Sequence, residues 1–199
     1  MTNATSALVQ QPNANWELPG RDRVGMFGLI ASESAIFTIF VVAYLFYLGK
    51  SLTGPVPKDV LHPPFFYTIC LLSSSLTIYV AGKSLRRGSN RSFAIWWLAT
   101  IALGGAFLYG TASDWRRLIY ENGLTVSTNL FGTTYYSLVG LHGFHVIVGL
   151  SFLSVVMVFT FLGAMKGQYI GRVGVLSLYW HFVDAVWIVV FTVVYVIGR

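Results

Sequence analysis

Five ionisable side chains stand inside long apolar runs of this sequence: Glu33, His142, His145, His181 and Asp184. His181 and Asp184 share the stretch YWHFVDAVW, Tyr179 to Trp187, while His142 and His145 share GLHGFHVIVGL. Carboxyl and imidazole groups can pass protons, clamp a haem between two imidazoles, or hold a pair of metal ions. A b-type haem needs axial ligands on two facing helices, and the H-x-x-H pair of His142 and His145 sits on one, so His181 would have to complete the set. A di-metal carboxylate site needs Glu-x-x-His pairs on two helices, and Glu33 has no such histidine. Three readings stay open: a structural polar cluster that fixes helix orientation, a proton-handling or proton-sensing Glu33, and haem ligation.

These side chains must be positioned by membrane helices. The chain has 199 residues, 55% hydrophobic and only 10% charged, with a mean hydropathy of +0.67. A soluble domain carries roughly 25% charged residues. A spanning helix takes about 20 residues and its loop about a dozen more, so the length holds roughly five or six spans and no soluble catalytic domain. The pattern is all-α, with five apolar runs at about 24–49, 65–83, 93–113, 133–164 and 173–197. Residues 1–20 lack a basic segment followed by an apolar one and read as a disordered tail, not a signal peptide; 21–199 form the membrane domain. Cys70 is the single cysteine, which excludes a disulfide within the chain, a C-x-x-C-H haem attachment and paired-thiolate copper.

A net charge of +6 would suggest nucleic acid in a soluble chain. Here the basic residues fall in short loops and report topology, so no nucleic-acid partner is expected. The tail and the even-numbered loops hold eight of them (Arg21, Arg23, Lys83, Arg86, Arg87, Arg91, Lys166 and Arg172), against five on the other side (Lys50, Lys58, Arg116, Arg117 and Arg199). This places the N-terminus inside and the C-terminus outside.

An acid at the bilayer centre costs about 2.5–3.5 kcal/mol on insertion scales, so each of the five groups should face protein and have a partner. At 1.5 Å per residue, Glu33 lies about 14 Å from the inner edge of the first span, Asp184 about 16 Å from that of the fifth, and His145 about 18 Å from the outer edge of the fourth. All three are near the midplane, which predicts one internal cluster with Glu33, His142 and His145 as its other walls. In LGGAFLYG and GLHGFHVIVGL, small residues suit close helix approach. Trp96, Trp97 and Trp115 suit an interfacial belt, and Ser73, Ser74 and Ser75 can bond back to helical carbonyls. The surplus of aromatics, 16% of the chain, also suits acyl chains held in a cleft.

Four motifs in fixed order, GLIASESAIF, NLFGTTYYSLVG, GLHGFHVIVG and YWHFVDAVW, together resemble subunit III of the haem-copper oxidases, specifically cytochrome c oxidase, in its five-helix bacterial form. The resemblance runs from Arg21 onward, and the family's topology, N-terminus inside, agrees with the charge count. It implies a subunit of a proton-pumping oxidase in the bacterial inner membrane that has no catalytic residue and binds no haem or copper itself. Those cofactors belong to partner subunits. It further implies packing against subunit I, association with subunit II, phospholipid held in a cleft, support of proton uptake and protection of the enzyme during turnover. Glu33 matches the family's buried glutamate, His142 and His145 its paired histidines, and Trp180, His181, Asp184 and Trp187 its closing motif.

The sequence also departs from that pattern. Asp114, before Trp115 in TASDW, stands where many members have glutamate, and Thr111 where many have glutamine. Trp180, Trp187, Asp114 and Trp115 are expected to serve assembly or lipid contact. Gly174 replaces a common glutamate, and LSLYWHF resembles the quinol oxidase branch, which leaves quinol oxidase and nitric oxide reductase subunits as alternatives. A haem-b electron carrier and a proton-coupled transporter are the more remote ones.

Overall fold

A computed structural model of the protein describes residues 20–51, 54–163 and 169–198. Residues 1–19 of the expected tail lie outside the described residues, as do Lys166 and Arg199 of the charge count. The described residues form α1 (Arg21–Tyr47), a one-turn α2 (Pro57–Val60), α3 (Phe65–Arg86), α4 (Asn90–Tyr120), α5 (Leu130–Phe161) and α6 (Tyr169–Phe191). Five helices are long and apolar enough to cross a membrane, as the sequence predicts.

Two ends differ from expectation. α4 continues through Asp114, Trp115, Arg116 and Arg117, which the sequence pattern puts in a loop. No breaker interrupts DWRRLIY, the Arg117 guanidinium reaches Asp114 at 3.6 Å one turn away, and the first left-handed residue is Gly123 at φ 64°. At 1.5 Å per residue, 31 residues span about 46 Å, well beyond a hydrocarbon core of about 30 Å, so this charged end stands clear of it. The second difference is at the C-terminus, where α6 widens into a π-helix over Thr192–Ile197, closed by Gly198 N–H donating to the Val193 carbonyl at 3.0 Å. The wider turn seats Gly198 against Tyr44, whose hydroxyl is 2.6 Å from where a Cβ would be.

Between spans, lipid tails are as apolar as leucine, so close packing and interhelical hydrogen bonds hold the bundle. The small-residue stretches serve the packing. Trp180 lies in a slot between α4 and α5, its ring 2.9 Å from a Cβ placed on Gly104 and 2.8 Å from one on Gly149. Gly110 leaves room for the Tyr67 ring, and Gly140 for the Trp115 indole. Only Trp96 keeps a belt-like exposure. Trp97 is fully buried and donates to the Leu153 carbonyl at 2.9 Å, and Trp115 packs on Tyr136 at 5.2 Å between ring centres. At the entry of α5, Asn129 explains the start of the NLFGTTYYSLVG motif. Its side-chain oxygen caps Gly132 N–H at 2.8 Å and its amide donates to the Pro55 carbonyl at 3.1 Å, which ties the α1–α3 loop to the helix.

Candidate functional site

The five ionisable groups form two sites and one isolated residue, where the sequence predicts a single cluster. The first site joins α1 to α5. Glu33 Oε2 lies 3.1 Å from His145 Nε2, and His145 Nδ1 lies 2.8 Å from the Leu141 carbonyl. A carbonyl only accepts, so Nδ1 carries a hydrogen and donates. The Glu33–Nε2 contact then holds a single proton, either on the carboxyl or on the ring. The pair is neutral as a unit in both forms, which is what a low-dielectric position tolerates. Its covering is incomplete, with 21% of the Glu33 side chain exposed against 9% for His145.

The second site joins α6 to α3. Ser75, on α3, donates its hydroxyl hydrogen to Asp184 Oδ2 in a short contact, and its oxygen lies 3.0 Å from His181 Nδ1. With the serine hydrogen committed to the carboxylate, His181 Nδ1–H donates to Ser75. Asp184 is 3% exposed, and its other oxygen, Oδ1, is buried without a partner. The neighbouring contacts repeat the arrangement: Trp180 Nε1–H donates to Ser74 Oγ at 2.8 Å, and Trp187 Nε1–H to Thr68 Oγ1 at 3.2 Å. Hydroxyls on α3 therefore meet Trp180, His181, Asp184 Oδ2 and Trp187, while the Tyr179 hydroxyl turns to α5 and donates to the His145 carbonyl at 3.3 Å. Serine, histidine and aspartate here are not arranged for acyl transfer. In a triad the imidazole stands between hydroxyl and carboxylate; here the hydroxyl stands between the other two.

His142 joins neither site. Fully buried, with no hydrogen-bond partner at either nitrogen, it lies among aromatic rings: Trp187 at 4.9 Å, Phe107 at 5.7 Å and Phe37 at 6.5 Å between centres. Histidines three residues apart on a helix are offset by only about 60° around its axis, and Phe37 of α1 touches both rings, but the offset sets His142 against Phe107 of α4 and Trp187 of α6 while His145 reaches Glu33. Among the described residues, no three His, Cys, Asp or Glu side chains gather closely enough to hold a metal ion.

Trp180 and Trp187 are 0% and 1% exposed within this chain, where they pack between its own helices. Asp114 and Trp115 sit on the extended end of α4, Asp114 paired with Arg117 and Trp115 packed on α5. Sequence reasoning missed Ser75. Of the three serines, Ser74 bonds back to the Leu71 carbonyl as expected, while Ser75 reaches across to α6. The available signal was its register with Thr68, seven residues earlier and therefore on the same helix face.

Five helices long and apolar enough to cross a membrane, with acid and imidazole groups joined between them, define a multi-pass membrane bundle, and comparison with known proteins gives the family. The family model for cytochrome c oxidase subunit III matches residues 20–199. The chain is 33% identical over 184 residues to the cytochrome c oxidase subunit 3 of Alkalihalophilus pseudofirmus, covering 91% of this chain and 89% of that one. It is 33% identical over 181 residues to the cytochrome bo(3) ubiquinol oxidase subunit 3 of Pseudomonas aeruginosa, covering 90% and 86%. It is 28% identical over 177 residues to the quinol oxidase subunit 3 of Bacillus subtilis, covering 88% and 86%. The chain belongs to the cytochrome c oxidase subunit III family. It is thus a multi-pass membrane protein of a multi-subunit haem-copper oxidase.

Proposed function

We propose that this chain is the non-redox subunit III of a proton-pumping terminal oxidase that takes electrons from cytochrome c. It packs on subunit I, beside subunit II, in the inner membrane of a bacterium with its N-terminus inside. It holds phospholipid and supports proton uptake and enzyme stability, while haem and copper reside in the partner subunits. The observation that carries this reading is the unequal covering of the helices. Only 11% of the most apolar window of α1 is buried within the chain, against 44% for α6. An outward apolar face such as that of Ile39, Val42 and Phe46 needs lipid or another subunit against it. A groove of about 350 Å³ between α1 and α6, lined by Phe37, Val41, Phe182, Val186 and Val190, has the chemistry of an acyl-chain channel. The Glu33–His145 pair, holding one proton and partly exposed, suits a group that exchanges protons beside a partner subunit.

Purification of the membrane complex through a tag on this chain tests the reading. Co-purification of a large haem-bearing subunit and a paired-copper subunit II is the expected result, and a colourless lone polypeptide contradicts it. A second reading, quinol as the electron donor, is favoured by LSLYWHF with Gly174 and by the similarity to quinol oxidase subunits. A co-purified subunit II lacking the paired copper would select it.

A further inference from the structure

The hydroxyl bridge between His181 and Asp184 does not end inside the bundle. His181 lines a cavity of about 400 Å³ that opens at the side of the membrane holding the N-termini of α1 and α6 and the C-terminus of α3. Arg23 and Arg86 line it together with Phe27, Gly82 and Leu178. On the far side of His181, Ser75 leads to Asp184, whose Oδ1 is an orphaned acceptor in the core. The arrangement is a polar route of three side chains from a water-accessible cavity to a sequestered carboxyl.

We propose that His181 and Ser75 form a proton relay that lets Asp184 exchange a proton with the aqueous phase on the side of the α1 N-terminus. The step balances atom by atom. A proton from cavity water adds to His181 Nε2, the Nδ1 hydrogen passes to Ser75 Oγ, and the serine hydroxyl hydrogen passes to Asp184 Oδ2. The products are a neutral His181 protonated on Nε2, an intact serine hydroxyl now directed at Nδ1, and a neutral carboxylic acid. Rotation of the hydroxyl and a tautomer change in His181 reset the chain. No bond other than those to hydrogen changes. The charged groups facing the cavity are Arg23 from α1 and Arg86 from α3. They keep the mouth hydrated, and their two charges oppose a third on His181, so the imidazolium is a passing state. From the remaining elements, Glu33 and His145 hold each other and His142 is enclosed by rings. The relay is separate from the Glu33–His145 pair. It rests on the oxidase reading only for the complex in which it is measured.

Infrared difference spectroscopy of the intact complex tests it, with the carboxyl carbon of aspartate isotopically labelled in a chain that has three other aspartates, Asp22, Asp59 and Asp114. The expected result is an aspartic-acid C=O band, absent in Asp184→Asn, that moves promptly on transfer to D2O. Ser75→Ala and His181→Phe should slow that movement by about tenfold or more, the loss expected when a positioned proton carrier is removed. Ser75→Thr, which keeps the hydroxyl, should restore it. Should Asp184→Asn not assemble, a C=O band whose exchange is slowed by Ser75→Ala identifies the same carboxyl. Exchange at the native rate in both Ser75→Ala and His181→Phe overturns the relay while leaving the oxidase reading intact. So does the lack of any labelled C=O band responding to these variants from acid to alkaline pH. Failure to recover a haem-bearing complex at all contradicts the oxidase reading instead.

Discussion

Glu33–His145 and Asp184–Ser75–His181 are two answers to one problem, an acid placed near the middle of a membrane bundle. On the α1–α5 side the acid meets an imidazole directly, and the pair shares one proton with about a fifth of the glutamate side chain uncovered. On the α3–α6 side the acid is enclosed, meets a hydroxyl first, and reaches its histidine and the cavity only through it. The difference follows from the helices. α1 is the least covered span and α6 the most covered. A directly paired acid can sit at an outer face because it is neutral as a unit. The buried one needs a neighbouring helix to supply a polar group, and α3 does so with Ser75, while its Ser74 and Thr68 accept from the flanking Trp180 and Trp187 indoles.

Disturbing the buried side should cost most. Gly149→Val drives a side chain into the Trp180 ring, which is hydrogen-bonded next to Ser75, and overpacking of this kind costs up to about 3 kcal/mol. Strong loss of this chain from the purified complex is expected; normal recovery would mean that Trp180 does not set the α3–α6 register. Asp184→Ala comes next, since it orphans Ser75 and leaves a buried polar group unmatched at about 1–3 kcal/mol. Retention in the complex, read from subunit ratios after detergent washing, should fall more than the electron-transfer rate. Normal assembly with lost turnover would give Asp184 a direct chemical role.

The exposed side should be softer. Glu33→Gln keeps a hydrogen-bonding side chain opposite His145, so its cost in stability should stay within about 1 kcal/mol. Its clear signature is chemical: a hydrophobic carbodiimide should label the accessible Glu33 and not the enclosed Asp184, and the substitution should abolish labelling. Equal labelling of native and Glu33→Gln protein would reverse the contrast in accessibility. Smallest of all is Arg117→Gln, which breaks the i,i+3 pair with Asp114 at the solvent end of α4 and should change thermal stability by about 0.5 kcal/mol or less.

Much of this was legible in the sequence. Five apolar runs give the five spans, and counting residues from each span's edge puts Glu33, His145 and Asp184 at similar depth, because helix rise is constant. Pairing was not legible, since depth does not say which faces meet. Ser75 looks like any membrane serine that bonds its own helix, and only the packing of α3 on α6 turns it outward. His142 shares a helix face with His145, yet only His145 meets Glu33 while His142 is enclosed by rings from α1, α4 and α6. Trp97 and Trp115 sit where belt tryptophans sit, but α4 extends past the expected span end and α5 covers them. The π-turn over Thr192–Ile197 has no local marker, because it is set by the seating of Gly198 on Tyr44.

The most direct test of a non-redox subunit is to dissociate this chain from the purified complex under mild detergent and record reduced-minus-oxidised spectra of both fractions. All haem absorbance is expected to stay with the partner subunits, with the released chain colourless and electron transfer in the remainder largely kept. A haem band in the released chain would contradict that assignment and return His142, His145 and His181 to the position of axial ligands.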